Sequence, residues 1–250
     1  MKAKQYLPSL FVIAALGAGP AMGQSIFAGS STGSYTNDFC PQVQTTLKTA
    51  YFEHQCATSQ GTGDNVDKVL ADPKSVGIGQ FDVVAARMTQ NPGKLALADP
   101  GIGLECLYAV TNDPNVTRLS GLSPRMPIAL PPAKSGSTAT FEFLQSMDQG
   151  LAALRRVRHF DSAKEAVKAV ATNRAALAFF VQFPNTKNEV FKTINDANLT
   201  FVPVINRAIL RHSVDGHRVY QPQKVTVTPA GLFGKLTGKQ DAQIDTTCTP

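Results

Sequence analysis

Apolar positions along this chain recur at two spacings. Short runs with spacing near two read as strands, and longer stretches with spacing near 3.6 read as amphipathic helices. Residues 25–28 form the first short strand and run into Gly29-Ser30-Ser31-Thr32-Gly33-Ser34-Tyr35. Phe39, Val43 and Leu47 then share one helix face, with Asn37 or Asp38 as N-cap and Pro41 in the first turn. Residues 51–58 read as a second strand, and Gly61-Thr62-Gly63-Asp64 opens a helix buried through Val66, Val69 and Leu70. Residues 76–80 are a third strand, and Asp82 is expected to cap a helix running to about Gln90.

The same alternation resumes in the second half. Residues 95–99 and 104–111 are extended and form a connection out of the first sheet. Residues 127–130 are a strand, followed by a loop at 131–136 and a helix from 137 through Met147. Ser162-Ala163-Lys164-Glu165 and Thr186-Lys187-Asn188-Glu189 read as capping boxes, each opening a helix. The apolar run 177–181 and residues 201–205 are strands, and 231–250 read as a poorly structured tail held through Cys248. Strand–helix repeats of this length predict an α/β fold with right-handed crossovers and largely parallel sheets, built in two halves. No solenoid period and no low-complexity segment interrupts them.

The first residues change the picture of location. Lys2 and Lys4 precede an apolar stretch at 7–18, and small residues at Ala21 and Gly23 precede Gln24. This is the layout of a secretory signal peptide cleaved after Gly23, too short to cross a bilayer comfortably. Its loss would remove two lysines and no acid, lowering the +6 formal charge by two. Such mild basicity suits an anionic ligand and does not predict nucleic-acid binding. The basic run Arg155-Arg156-Val157-Arg158-His159 reads as an exposed loop before a strand, with docking as the other possible role. Cys40, Cys56, Cys106 and Cys248 make an even count in an exported chain, which predicts two disulfides. Three pairings are open, and the expectation among them is Cys40–Cys56 with Cys106–Cys248. No Cys-x-x-Cys spacing and no grouping of His54, His159, His212 or His217 with the cysteines points to a metal, and no cofactor is expected.

Three loops carry candidate chemistry: residues 29–34, 59–63 and 134–138. Each follows a strand and leads into a helix. Glycine lets backbone approach a ligand, hydroxyls donate hydrogen bonds, and the N–H groups of a helix start favour an anion. None supplies the Walker or dinucleotide glycine spacing. No serine nucleophile elbow is supported, and Asp64, Asp82 and Asp161 read as caps or loop residues, so catalysis is not expected.

The segment Ile26-Phe27-Ala28-Gly29-Ser30-Ser31-Thr32-Gly33-Ser34-Tyr35 resembles the opening of TAXI-type solute receptors of TRAP transporters. Thr58-Ser59-Gln60-Gly61-Thr62-Gly63-Asp64-Asn65 is similar to their second loop, and Gly79-Gln80-Phe81-Asp82-Val83 to the end of their third strand. Pro132-Ala133-Lys134-Ser135-Gly136-Ser137-Thr138 and Ala178-Phe179-Phe180-Val181-Gln182-Phe183-Pro184-Asn185 resemble segments of their second lobe. The resemblance covers residues 25–205. It implies a two-lobed periplasmic binding protein type II fold in a Venus-flytrap arrangement, with lobe 1 at 24–105, lobe 2 at 106–200 and a return segment and tail at 201–250.

The implied function is periplasmic capture of a small carboxylate or amino-acid-like ligand by a monomer, delivered to membrane transporter subunits. A sensory subunit coupled to a sensor kinase is the alternative. The expected ligand contacts are Ser31, Thr32, Tyr35, Thr62, Gly63 and Gln80 from the first half. Ser135, Ser137, Thr138 and Gln182 are expected from the second. For Gln80 and Gln182 a hinge or sheet-edge hydrogen bond is the other possible role, and for Tyr35 plain surface packing.

Overall fold

A computed structural model of the protein describes residues 13–14, 24–31, 33–98, 103–119, 122–214, 216–229 and 240–250. The signal-peptide reading falls largely on residues outside this set. The chain divides into two units, residues 1–104 with 134–136 and 250, and residues 105–133 with 137–249.

In the first unit the elements follow as β1 (Ile13–Ala14), β2 (Gln24–Phe27), a π-helical turn (Tyr35–Phe39) and α1 (Cys40–Thr49). Then come β3 (His54–Ala57), α2 (Thr62–Ala71), β4 (Val76–Gly77), α3 (Phe81–Gln90) and β5 (Ala96–Leu97). β2 pairs in parallel with β3 on one side and β4 on the other, while β1 lies antiparallel between β4 and β5. The period of two in β2 decides its packing. Ile26 points into a cluster with Cys40, Val43, Val76 and Ile78, beneath α1. Phe27 faces the other way, against Val66, Val69, Val84 and Leu95, beneath α2 and α3.

The second unit contains β6 (Glu105–Thr111), β7 (Ile128–Leu130), α4 (Gly136–Met147, apart from its first residue), α5 (Gln149–Ala152), β8 (Val157–His159), α6 (Ala163–Ala171) and β9 (Leu177–Gln182). It continues through α7 (Glu189–Asp196), β10 (Thr200–Val202), α8 (Arg207–Leu210), β11 (Ser213–Val214), β12 (His217–Arg218), β13 (Gln221–Thr228) and β14 (Ala242–Thr249). β7 pairs in parallel with β8 and β9. β6 runs antiparallel to β9 along one edge, and its other edge is shared by β14 and β10. The parallel strands therefore have the same spatial order in both units, second–first–third in chain order.

β9 is an unbroken apolar run because it is covered on both faces. Phe179 meets Phe141 of α4, while Phe180 stacks on Tyr108 and meets Phe191 of α7.

Several expectations need correcting. Glu105–Thr111, expected as part of a connection out of the first sheet, is a largely buried strand inside the second, and the sheets carry antiparallel strands beside the parallel ones. Residues 242–249 are a strand and not a loose tail, since β14 pairs with both β13 and β6. Asn37 and Asp38 lie within the π-helical turn, and Phe39 occupies the N-cap of α1. Gln80, not Asp82, is the N-cap of α3. Of the first capping box the N-cap half is present: Ser162 accepts from the Glu165 N–H, while the Glu165 carboxylate pairs with Lys168. In the second, Asn188 outcompetes Thr186 and accepts from the Val190 N–H. Both cysteine pairings match the expected pair: Cys40–Cys56 joins the start of α1 to β3, and Cys106–Cys248 joins β6 to β14. No helix among the described residues is long and apolar enough to cross a membrane.

Candidate functional site

In the first unit the loops after β2 and β3 lie against one another. The Gly29 N–H donates to Ser59 Oγ at 2.8 Å, and the Ser59 N–H donates to the Gly29 carbonyl at 2.7 Å. Ser59 Oγ in turn donates to Asn65 Oδ1, and Asn65 Nδ2 donates to the Ile78 carbonyl at 2.7 Å. One serine and one asparagine thus fix the ends of β2, β3 and β4 relative to the start of α2. Asn65 is fully buried on the inner face of that helix.

The start of α2 is built for close approach. Gly61 has φ +123° and ψ −171°, a conformation open in practice to glycine alone. A Cβ there would meet Ser135 Cα at 3.0 Å and the Lys134 carbonyl at 3.2 Å, so the backbone of 134–136 lies directly over the helix start. Among the described residues no side chain caps α2. Thr62, 2% exposed, accepts from the Gln80 N–H at 3.3 Å.

Gln80 is 5% exposed, and its Nε2 has no hydrogen-bond partner among the described residues. Its Oε1 lies against Gly136, where a Cβ would come within 1.4 Å. A buried amide donor without an acceptor carries a cost of about 1–3 kcal/mol unless something else accepts from it.

The charges around this point are uneven. Burial alone would raise the Asp64 pKa, but the Lys68 ammonium at 2.7 Å and the Gln60 N–H at 3.0 Å outweigh it. The carboxyl is therefore held below its ordinary range, and Lys134 adds a further positive charge nearby. The neighbouring helix start, that of α3, is already occupied, since the Phe81 N–H donates to the Pro250 carbonyl at 3.3 Å and Asp82 Oδ1 accepts from Val83 N. Among the described residues the start of α3 is thus met by acceptors, whereas the start of α2 has no side-chain cap and faces the backbone of 134–136.

Of the residues named from the sequence, Thr62, Gly63, Gln80 and Ser135 converge here. Ser31 is exposed, its carbonyl accepting from Asn37 Nδ2, and Tyr35 is half-buried against Phe39. Thr32 lies outside the described residues. In the second unit, Ser137 Oγ accepts from the Val181 N–H, and Thr138 Oγ1 donates to the Pro131 and Pro132 carbonyls. Gln182 ends β9 opposite Cys106. Ser59, Asn65 and Gly136 were not among the named contacts. Asn65 could have been found as a polar residue on the same helical face as Val66 and Val69. Among the described residues, no cluster of His, Cys, Asp and Glu could hold a metal ion.

No protein-family model and no curated protein matches the chain. Solved structures similar to it include the GluR0 ligand-binding core in complex with L-glutamate, at 12% identity and TM-score 0.47, covering 74% of this chain and 80% of that one. An ancestral arginine-binding protein bound to glutamine matches at 14% identity and TM-score 0.48, covering 80% and 83%. A cysteine-binding protein from Campylobacter jejuni matches at 15% identity and TM-score 0.47, covering 72% and 70%.

Proposed function

We propose that this chain is an exported solute-binding protein with a type II periplasmic binding fold. It holds a small anionic or polar ligand, a carboxylate or amino-acid-like molecule, at the start of α2 and serves a membrane transporter of the TRAP class. The observation that carries this reading is the buried Gln80 amide, whose Nε2 lacks an acceptor next to a helix start without a side-chain cap. A ligand oxygen placed there would accept from Gln80 and from the first N–H groups of α2. Lys68 and Lys134 outnumber Asp64, which favours negative charge at that oxygen. Two further features support the reading: the repeated second–first–third strand order, and two disulfides of the kind found in exported chains. Ser31, Thr32, Tyr35, Ser137, Thr138 and Gln182 are proposed as further ligand contacts.

The test is calorimetric titration of the purified protein with a panel of L-amino acids and short mono- and dicarboxylates. At least one should bind without being chemically altered. Gln80→Leu should weaken that binding about tenfold or more, the scale of a lost buried hydrogen bond. Thr62→Ala should weaken it while changing the melting temperature less. Silence across the panel, or equal binding by Gln80→Leu and the parent, would sink the proposal.

A further inference from the structure

We propose that the outer edge of β8 is a docking site for an extended, carboxylate-rich segment of a second protein. β8 ends the sheet of the second unit and pairs with β7 alone among the described residues. The Ile128 N–H donates to the Arg156 carbonyl, and the Phe160 N–H donates to the Leu130 carbonyl. In this parallel ladder residues 156, 158 and 160 face β7, so the N–H and C=O groups of Val157 and His159 point away from it.

That open edge is surrounded by one sign of charge. Arg155, Arg156, Arg158 and His159 are exposed, and Arg156 Nη1 donates to the carbonyl of Arg125 at 3.2 Å, which brings a fourth arginine alongside. None of these arginines joins an ion pair among the described residues. The sequence has no acid from 114 to 141 or from 149 to 160.

A single charge is enough to guard a short edge strand against unwanted pairing. Four arginines from two chain segments exceed that need, and their planar forks match carboxylates rather than serving as generic solvated charge. Unpaired strand groups together with unneutralised guanidinium groups fit one partner chemistry. That partner is an extended segment whose backbone continues the ladder and whose alternate side chains carry carboxylates.

The probe is an acetylated peptide of about eight residues alternating Glu and Val, titrated by fluorescence anisotropy. The parent should bind it, with affinity falling as salt rises, and Arg155→Ser/Arg158→Ser should bind about tenfold more weakly or worse. Bound peptide should slow amide exchange at Val157 and His159. Should the double variant lose its cooperative melt, Arg158→Gln alone provides the same comparison. Three results would overturn the proposal. In the first, the variant binds as the parent does. In the second, a peptide of equal charge with proline at alternate positions binds equally well. In the third, phosphatidylglycerol vesicles bind the parent while the peptide does not.

Discussion

At Gly136 a methyl group would sit 1.4 Å from Gln80 Oε1 and 3.0 Å from Thr62 Oγ1. Gly136→Ala must therefore displace the Gln80 amide, and should abolish ligand binding in calorimetry while leaving most of the melting temperature intact. Tyr108 makes the opposite point. Its ring is fully buried between Phe180, Phe191 and Phe201, and its hydroxyl has no partner among the described residues. Burial pushes its pKa far up, so it stays neutral. Tyr108→Phe should leave stability unchanged or raise it by up to about 1 kcal/mol in denaturant unfolding. Asp64 adds a dependence on pH. Its carboxyl titrates below the ordinary value of 3.8 in the folded chain, so its contribution is present above that value and disappears as pH falls through the folded pKa. Asp64→Asn should melt below the parent at about pH 6, with the gap closing towards about pH 3. At this scale the sequence was partly legible. Thr62 and Gln80 could be named because helix starts and strand ends announce themselves through glycine and hydroxyl residues. Ser59 and Gly136 act through neighbours distant in sequence, and no local spacing encodes those contacts.

Helix ends were harder to read than helix faces. The stripe of α2 is the one the 3.6-residue spacing predicts, with Val66 and Val69 buried and Leu70 packed against them, because burial of apolar area dominates its placement. Caps are settled by competition among adjacent polar side chains, each interaction worth about 1 kcal/mol, so Asn188 displaces Thr186 without any change in the pattern. The carboxyl ends carry a feature that the sequence does not show. After α1, α6 and α7 the chain turns through left-handed residues, Tyr51, Asn173 and Asn198. Asparagine tolerates that conformation, whereas tyrosine pays about 1–2 kcal/mol for it. Tyr51 is also 96% exposed, so its side chain recovers little by packing. Tyr51→Gly should therefore raise the melting temperature, and Asn173→Gly should change it much less; thermal unfolding of the two variants side by side decides the matter.

Across the whole molecule, the repeated strand–helix alternation was visible because each half repeats the same crossover, and a crossover is local in sequence. The pairing of β14 with β6 was not visible, since it joins residues more than a hundred positions apart through a polar, threonine-rich strand. Thr246 and Thr247 become fully buried by donating to the carbonyls of Leu107 and Val204. A threonine run gives no sign of burial until its partners are known. Both disulfides should leave no thiol reactive in the denatured, unreduced protein, and reduction should cost about 2–5 kcal/mol per bond in urea unfolding. Their connectivity also bears on how the chain matures. Read from the amino end, the cysteines emerge in the order 40, 56, 106 and 248, and each bond joins two that emerge consecutively. A catalyst that oxidises thiols in order of appearance would therefore make both native bonds at the first attempt, and no isomerase would be needed to correct them. The second bond spans 142 residues, so it forms only once β14 has been delivered to β6.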